Sequence, residues 1–545
     1  MTMKSKTILT ASLIIFLFVV VIFIQHEVSN EPLEVESGLI TGNIEDGIFI
    51  YRGIPYAAPP VGELRWRAPQ PPPKWSGLRS ADKFGPTSLQ SNKANETSED
   101  CLYLNIWTPT GSAEERLPVM MWIHGGAFVG GSTAQKLYRG KHLAKKGVVL
   151  VTIGYRLGVS GYLAHPSLSA ENERHVSGNY GLLDIIAALK WVQRNISAFG
   201  GDPECVTIFG ESAGGIAVSM LCASPLAKGL FHRAISQSGG SFGPIRTGGE
   251  PGENVHSLKN AEQAGKAWAL KVGACSAAEL RQLPPDILKT AGIVQGVTWP
   301  VMDGWVIPDD QYKLYEAGKY NDTPVLVGYN SEEGTAFLKI GSPTEDYLKM
   351  VHERYGKFAK KLLALYPPAG EKVDETQPDL LRDTAFGWHN WTWVRLQSKA
   401  GGSKAFLYYF DHHDRHLLPA NAPINRAGSF HGDEIPFVFH QSSDSPYGFQ
   451  WANAKAEDHA MSEMIMSYWT NFAKYGDPNG KGLPKWPAYS DKDPQVMHFL
   501  WNKANTGPVV QEEGLKTLDE YFKWRRNETQ ENQDNKTAVT TKTDD

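Results

Sequence analysis

Val206-Thr207-Ile208-Phe209-Gly210-Glu211-Ser212-Ala213-Gly214 leads a mainly apolar run into a serine fenced by two glycines. This is the pattern of a strand that turns sharply into a helix. Residues two before and two after the turn must be small, because a larger side chain there would strike the neighbouring strand or the helix just begun. Such a turn holds Ser212 in a tight backbone conformation and lifts its Oγ above the sheet edge. It also aims the first helical amides, Ala213 foremost, at any negative charge developing beside the serine. Ser212 is therefore a candidate nucleophile. A glycine-rich turn without chemistry would read the same over five residues, so support has to come from elsewhere in the chain.

Two further segments supply it. His124-Gly125-Gly126-Ala127-Phe128 closes the apolar run Val119-Met120-Met121-Trp122-Ile123, which reads as a strand end followed by a glycine loop. Glycines let backbone N–H groups approach a substrate oxygen. Those of Gly125 and Gly126, together with Ala213, form a candidate oxyanion hole, and losing one such donor costs about 10²–10³ in rate. His124 belongs to this donor loop by sequence and is read as structural, not as a catalytic base. The competing reading of the loop is a turn that simply needs left-handed glycines. The second segment pair concerns order, since an elbow serine is followed along the chain first by its acid and then by its histidine. Glu333 in Ser331-Glu332-Glu333-Gly334 and His431 in Gly428-Ser429-Phe430-His431-Gly432 fit that order. Glu333 also comes soon after the strand-like Pro324-Val325-Leu326-Val327, at the carboxyl end where active sites of α/β sheets collect. Position alone does not choose among the 16 histidines, or between Glu333 and its neighbours in role, Glu332, Asp433 and Glu434.

The runs FGESAGG, WIHGGAF, EDCLYLNIW, YRGIPYAAPPVGELRW, NYGLLD, GYNSEEGTAF, FHGDEIPFVF and YWTNFAKYGDPN are spread across residues 33–525. Together they resemble the type-B carboxylesterase/lipase family, which includes bacterial para-nitrobenzyl-type esterases and the cholinesterases. The resemblance implies an α/β-hydrolase fold, with a large, mostly parallel central sheet flanked by helices. It implies Ser212 as nucleophile, Glu333 as acid and His431 as base, with Gly125, Gly126 and Ala213 as oxyanion donors. It further implies two structural ion pairs, Arg65 with Glu99 and Arg156 with Asp184. The implied reaction is hydrolysis of a small-molecule carboxylic ester through an acyl-enzyme, without metal or organic cofactor. A catalytically silent adhesion protein of the neuroligin type shares the fold, but those relatives lose the serine that stands here at 212. An amidase or lipase using the same triad is not separable by sequence.

Departures from the family narrow this picture. Where many secreted members pair the cysteine of EDCLYLN with one just upstream, this chain has Ser88 in the FGPTSLQ stretch, so that bridge cannot form. Cys101, Cys205, Cys222 and Cys275 show no metal or redox spacing and read as free, mostly buried thiols. No tryptophan lies between Trp75 and Trp107, where cholinesterases place one to hold a quaternary ammonium by cation–π attraction, so a choline ester specialist is not expected. The cluster Asp411-His412-His413-Asp414-Arg415-His416 lacks a closed ligand set at helical spacing, and no metal site is expected there. Trp299, Phe337, Trp388 and Trp391 are candidate pocket walls, with ordinary core as the alternative for each.

Composition and organisation agree. Of 545 residues 41% are apolar, ample for a buried core, and the net charge of −5 offers no basic stripe for nucleic acid. Strand-like segments at 147–155, 205–210, 233–238, 323–329 and 405–411 alternate with helical ones such as Tyr180 to Asn195, without a linker. Residues 31–525 are accordingly expected to form one α/β-hydrolase domain. Residues 526–545 read as a polar, disordered tail. At the other end, Thr7 to Gln25 is an uncharged run rich in Leu, Ile, Phe and Val behind Lys4 and Lys6, long enough to span a bilayer. With a poor processing site after it, residues 1–30 are expected to be an uncleaved signal anchor, a cleaved signal peptide being the alternative. Either one exports the domain behind it.

Overall fold

The computed structural model describes residues 31–91, 96–245, 255–337, 343–368, 377–413, 428–444 and 449–540, the side chains of 336–337, 377–378 and 529–540 excepted. Its centre is an eleven-stranded sheet. In chain order the strands are β1 (Asn43–Glu45), β2 (Ile48–Pro55), β3 (Tyr103–Thr108), β4 (Leu117–Ile123), β5 (Val149–Ile153) and β6 (Gly201–Glu211). They continue with β7 (Arg233–Gln237), β8 (Val325–Asn330), β9 (Ala405–Asp411), β10 (Val496–Leu500) and β11 (Lys503–Gly507). Across the sheet the order is β11, β10, β9, β8, β7, β6, β4, β5, β3, β2, β1. The strands from β10 to β5 are mutually parallel, and antiparallel strands finish both edges. This is the expected large, mostly parallel sheet.

Its central strands are apolar at nearly every position because helices cover both faces. Side chains alternate between those faces. Val119, Met121 and Ile123 of β4 join one core with Val206, Ile208, Val325 and Val327, and Met120 and Trp122 join the other with Phe209, Leu326 and Phe406. Helices α1 (Tyr180–Asn195), α2 (Ala213–Ala223) and α3 (Trp388–Ala400) contribute to the first core, and α4 (Ala456–Tyr475) to the second. Trp122, fully buried, meets the rings of Tyr138, Phe209 and Phe439 at centroid distances of 5.1, 4.8 and 4.9 Å. Each large side chain buried in this way stabilises the fold by roughly 1.5–3 kcal/mol before entropy is counted.

Two expectations at the chain ends fare differently. The tail expected to be disordered from 526 is instead part of α5, which runs Glu512–Thr540. Leu515, Leu518, Tyr521 and Phe522 are buried on it. Beyond them, Arg526 lies over the Tyr312 ring at 4.2 Å and donates to Asp310 Oδ2 at 2.9 Å. Once a helix is anchored, each further residue adds a hydrogen bond without a new nucleation penalty, so a polar continuation rich in Glu, Gln and Lys stays helical. The apolar run Thr7 to Gln25 lies outside the described residues, and among the described residues no helix is long and apolar enough to cross a membrane.

Candidate active site

The strand order brings the sequence-selected segments to one edge. The donor loop follows β4, the serine follows β6, Glu333 follows β8, and the histidine segment comes after β9. All four strands are parallel, so these segments gather at their carboxyl ends. The turn after β6 is as tight as the glycines suggest. Ser212 has φ 55° and ψ −125°, a conformation that side chains rarely adopt. A Cβ on Gly210 would lie 2.6 Å from Ile123 O, and one on Gly214 only 1.9 Å from that same oxygen. Both obstacles are backbone, which cannot move aside. Ser212 N–H donates to Gln237 O at 2.9 Å, and Ser212 O accepts from Ile216 N at 2.8 Å, pinning the elbow from both sides.

The donor loop is packed against this elbow. A Cβ on Gly125 would stand 2.8 Å from Glu211 O and 3.0 Å from Ser212 Cβ, so only glycine lets the two backbones approach this closely. Gly126 is left-handed at φ 108°, and Ala127 and Phe128 follow at 53° and 59°. The bend is closed by Gly130 N–H donating to Gly126 O at 2.9 Å and Gly158 N–H donating to Phe128 O at 2.6 Å. His124 serves this loop. Its Nδ1 lies 2.8 Å from Gly125 O, its ring stacks on Tyr155 at 4.6 Å, and its own carbonyl accepts the Tyr155 hydroxyl at 2.7 Å. Burial pushes the His124 imidazole down to about 4, so it is a neutral ring in a structural role.

Ser212, His431 and Glu333 meet in one line of hydrogen bonds. His431 Nε2 is 2.8 Å from Ser212 Oγ, and His431 Nδ1 is 2.6 Å from Glu333 Oε2. A proton on Nδ1, facing the carboxylate, leaves Nε2 free to accept from the serine hydroxyl. Glu333 is fully buried, and its other oxygen accepts from Asn330 N at 2.8 Å and from the Ser238 hydroxyl. The two loops are stitched together. Glu332 N–H donates to Ser429 O at 2.8 Å, Ser429 N–H to Ser331 Oγ at 2.8 Å, and the Asn330 amide to Phe430 O at 2.6 Å. Of the alternatives left open by position, Glu332 bonds Thr335 and Asp433 caps Phe430 N. Glu434 accepts from Gln237 and Asn330.

Three carboxylates surround this imidazole. Glu211, between the elbow glycine and the serine, puts Oε1 3.3 Å from His431 Nε2. Burial drives the Glu211 carboxyl well above its usual range, with Glu434 and Glu333 adding repulsion and His431 pulling it back. Burial also works against charge on His431, but Glu211, Glu333 and Glu434 outweigh it and raise the imidazole. Glu434 is likewise raised, by burial and by Glu333. The sequence analysis assigns Glu211 no role, although its place inside the elbow motif is a signal. Ser238 had a weaker signal: it directly follows β7, the strand between the serine's and the acid's.

Other expected residues fall where chemistry or packing sends them. Arg65 forks onto Glu99 with two bonds of 2.6 Å and also donates to Leu283 O at 2.6 Å. Arg156 forks onto buried Asp184 at 2.8 and 2.7 Å. Trp299 packs edge-on against Phe128 of the donor loop at 5.0 Å. Trp388 and Trp391 are core rather than pocket: Trp388 meets Phe522 of α5 at 4.2 Å, and Trp391 lies beneath Arg395 at 4.0 Å. The Phe337 side chain lies outside the described residues. An aromatic neighbour the sequence did not offer is Phe386, stacked on the His431 ring at 5.0 Å from a π-helical turn, Asp383–Gly387. All four cysteines are free, Cys101 and Cys222 buried, Cys205 half-buried and Cys275 exposed. Among the described residues no cluster of His, Cys, Asp and Glu is arranged to hold a metal ion, and Asp414, Arg415 and His416 lie outside them.

Comparison with known proteins adds identity to this geometry. A family model described as the Carboxylesterase family matches residues 29–517. The chain is 37% identical over 484 residues to the fumonisin B1 esterase of Sphingopyxis macrogoltabida, spanning 85% of each protein. It is 36% identical over 498 residues to the para-nitrobenzyl esterase of Bacillus subtilis, spanning 86% of this chain and 94% of the relative. Among solved structures, a PNB esterase matches with a TM-score of 0.76 at 33% identity, covering 90% of this chain and 100% of the other. A carboxylesterase of Geobacillus stearothermophilus matches with a TM-score of 0.76 at 32% identity, covering 89% and 99%.

Proposed function

The chain belongs to the carboxylesterase family, and from that premise we propose that it hydrolyses carboxylic esters through a covalent acyl-enzyme on Ser212. His431 acts as base and then as acid, and Glu333 orients the imidazole and balances its charge. The observation that carries this reading is the unbroken line from Ser212 Oγ to His431 at 2.8 Å and on to Glu333 at 2.6 Å.

In the first half-reaction His431 Nε2 takes the Ser212 proton as Oγ attacks the ester carbonyl. The carbonyl oxygen becomes an oxyanion that the Gly125, Gly126 and Ala213 N–H groups stabilise, more strongly than they would the neutral carbonyl. His431 then protonates the departing alcohol, which leaves an ester between the acyl group and Ser212. In the second half the same imidazole deprotonates water, the oxyanion forms again, and collapse releases the carboxylic acid and restores the Ser212 hydroxyl. Glu333 holds Nδ1–H throughout. A para-nitrophenyl ester should release its phenol in a burst equal to the enzyme present, and an organophosphate should add to Ser212, as read by mass spectrometry of the peptide. Steady turnover by the Ser212→Ala protein at the rate of the native enzyme would overturn the reading.

The retained Ser212 favours an enzyme over a silent adhesion protein of the same fold. Matched ester and amide substrates separate an esterase from an amidase, and a chain-length series with and without a lipid interface separates it from a lipase. Export on an N-terminal anchor is part of this proposal and rests on the run Thr7 to Gln25. Protein recovered from membranes with its amino terminus intact supports an anchor, whereas a soluble exported form beginning near residue 30 supports cleavage.

A further inference from the structure

Phe386 meets His431 through a ring face, with the two centroids 5.0 Å apart and the planes 18° from parallel. No proton passes through such a contact. Phe386 is buried and belongs to the first core, which accounts for its burial but not for the way it is delivered to the imidazole.

That delivery needs an irregular helix. The helix Gln377–Arg382 widens over Asp383–Gly387 into one π-helical turn before it continues as α3. Trp388 N–H donates to Asp383 O, five residues back, so the turn holds one residue more than an α-helical turn would. Such turns are rare and gather at functional sites. Side chains bolt this one to the loops of the triad. Arg382 forks onto Asp383 at 2.8 and 3.0 Å and donates to Ser331 O at 3.2 Å, in the loop that bears Glu333. The Tyr366 hydroxyl donates to Asp383 Oδ2 at 2.7 Å. On the other side, the Asn390 amide donates to Phe386 O at 2.9 Å and to Gly239 O at 3.1 Å, directly after Ser238. Phe386 is thereby tied to both loops that hold the Glu333 carboxylate.

A stacked phenyl ring does two things for an imidazole. It blocks rotation on one side, which keeps Nε2 toward Ser212 and Nδ1 toward Glu333. Its negative face also attracts an imidazolium more than a neutral imidazole, and 5.0 Å is within the reach of that attraction. The imidazolium accompanies each tetrahedral oxyanion of the reaction, so the attraction is greatest at the barrier. The charged groups that face His431 are Glu211 from the elbow, Glu333 from the loop after β8 and Glu434 from its own loop. On the π-helical turn Arg382 and Asp383 are paired with each other, and what the turn presents to His431 is the Phe386 ring.

We propose that Phe386 is a positioning residue for ester hydrolysis, fixing the plane of His431 and favouring its imidazolium through the stacked ring. The proposal rests on the acyl-enzyme reading above. Its test compares the parent enzyme with Phe386→Leu, which stays apolar but has no π-face, and with Phe386→Tyr, which keeps the ring, on a para-nitrophenyl ester across pH. In Phe386→Leu, kcat should fall about three- to thirtyfold with KM nearly unchanged, the range of a cation–π contact. An imidazole without the stacked face binds its proton less tightly, so the acid limb of kcat/KM should move toward acid by about 0.4–1.5 pH units. Phe386→Tyr should keep both near the parent. Melting curves and burst amplitudes count the folded sites to which rates are referred, and Phe386→Met carries the same expectation where Phe386→Leu does not fold. A parent enzyme without ester turnover sinks the hydrolytic reading and this one together. With the parent active, native kcat and an unmoved limb in Phe386→Leu overturn this proposal alone. So does a slower rate with the limb in place, a loss confined to KM, which would make Phe386 a wall of the substrate pocket, or a limb moved toward alkaline pH, which would make it only a barrier to water.

Discussion

Between Val206 and Ala223 the nucleophile is set by one continuous stretch of backbone, whereas its imidazole and carboxylate come from segments 98 residues apart and are joined through side chains. On the serine's side the constraint is steric: glycines at 125, 210 and 214 let main chains approach to distances that no Cβ tolerates. On the base's side it is electrostatic, with buried Glu333, Glu211 and Glu434 crowding one ring and neutral donors from Ser238, Asn330 and Gln237 holding two of them in place. Steric positioning is rigid and blind to pH. Electrostatic positioning is tunable and depends on who holds the proton.

Breaking either side should leave a different signature. The largest effect is expected from Ser212→Ala, which removes the attacking oxygen while keeping the backbone strain. Its kcat on a para-nitrophenyl ester should fall on the order of 10⁴-fold or more with an unchanged melting curve. Next comes Gly125→Ala, whose new methyl would meet Glu211 O and Ser212 Cβ. About 10²–10³ in kcat should be lost as the donor loop backs away, at nearly constant pH dependence. Retained activity there would show that Gly125 N–H does not serve the oxyanion. On the opposite side, Ser238→Ala deletes one bond to the Glu333 carboxylate, worth about 1.5–3 kcal/mol for a charged acceptor, and kcat should drop by roughly ten- to a hundredfold with KM unchanged.

The smallest change in rate but the clearest in profile belongs to Glu211→Gln. A nearby carboxylate favours the imidazolium, so removing it lowers the His431 pKa. The neutral base then survives to lower pH, and the acid limb of kcat/KM should move toward acid. A limb that stays in place would mean that Glu211 does not raise the His431 imidazole.

The same contrast explains what could be read from sequence. The elbow and donor loop were legible because backbone crowding dictates glycine locally, and β9 and α1 were legible because continuous apolar runs and a helical apolar stripe need no distant partner. Choosing Glu333 and His431 over their neighbours needed the family resemblance, since the bonds that select them span the chain. Ser238 carried only a weak signal, and Glu434 stood only as a rival acid, for that reason. Trp388 and Trp391 illustrate the reverse case, in which wall and core both stay open. An aromatic side chain has no sequence mark distinguishing a wall from a core, and here α5 and Arg395 claim them. The helix beyond 526 was hidden because polar composition describes a segment's solvent, not the Asp310 carboxylate that anchors it through Arg526.

Ser212 at φ 55° occupies a backbone state in which any side chain is held against its preference by about 1–3 kcal/mol, and only glycine would relax there. Ser212→Gly should therefore melt above Ser212→Ala. Anyone breeding this protein for heat endurance by easing local tension would meet the readiest improvement at the single position that must not change. The craft of hardening such an enzyme lies in leaving one strained residue alone.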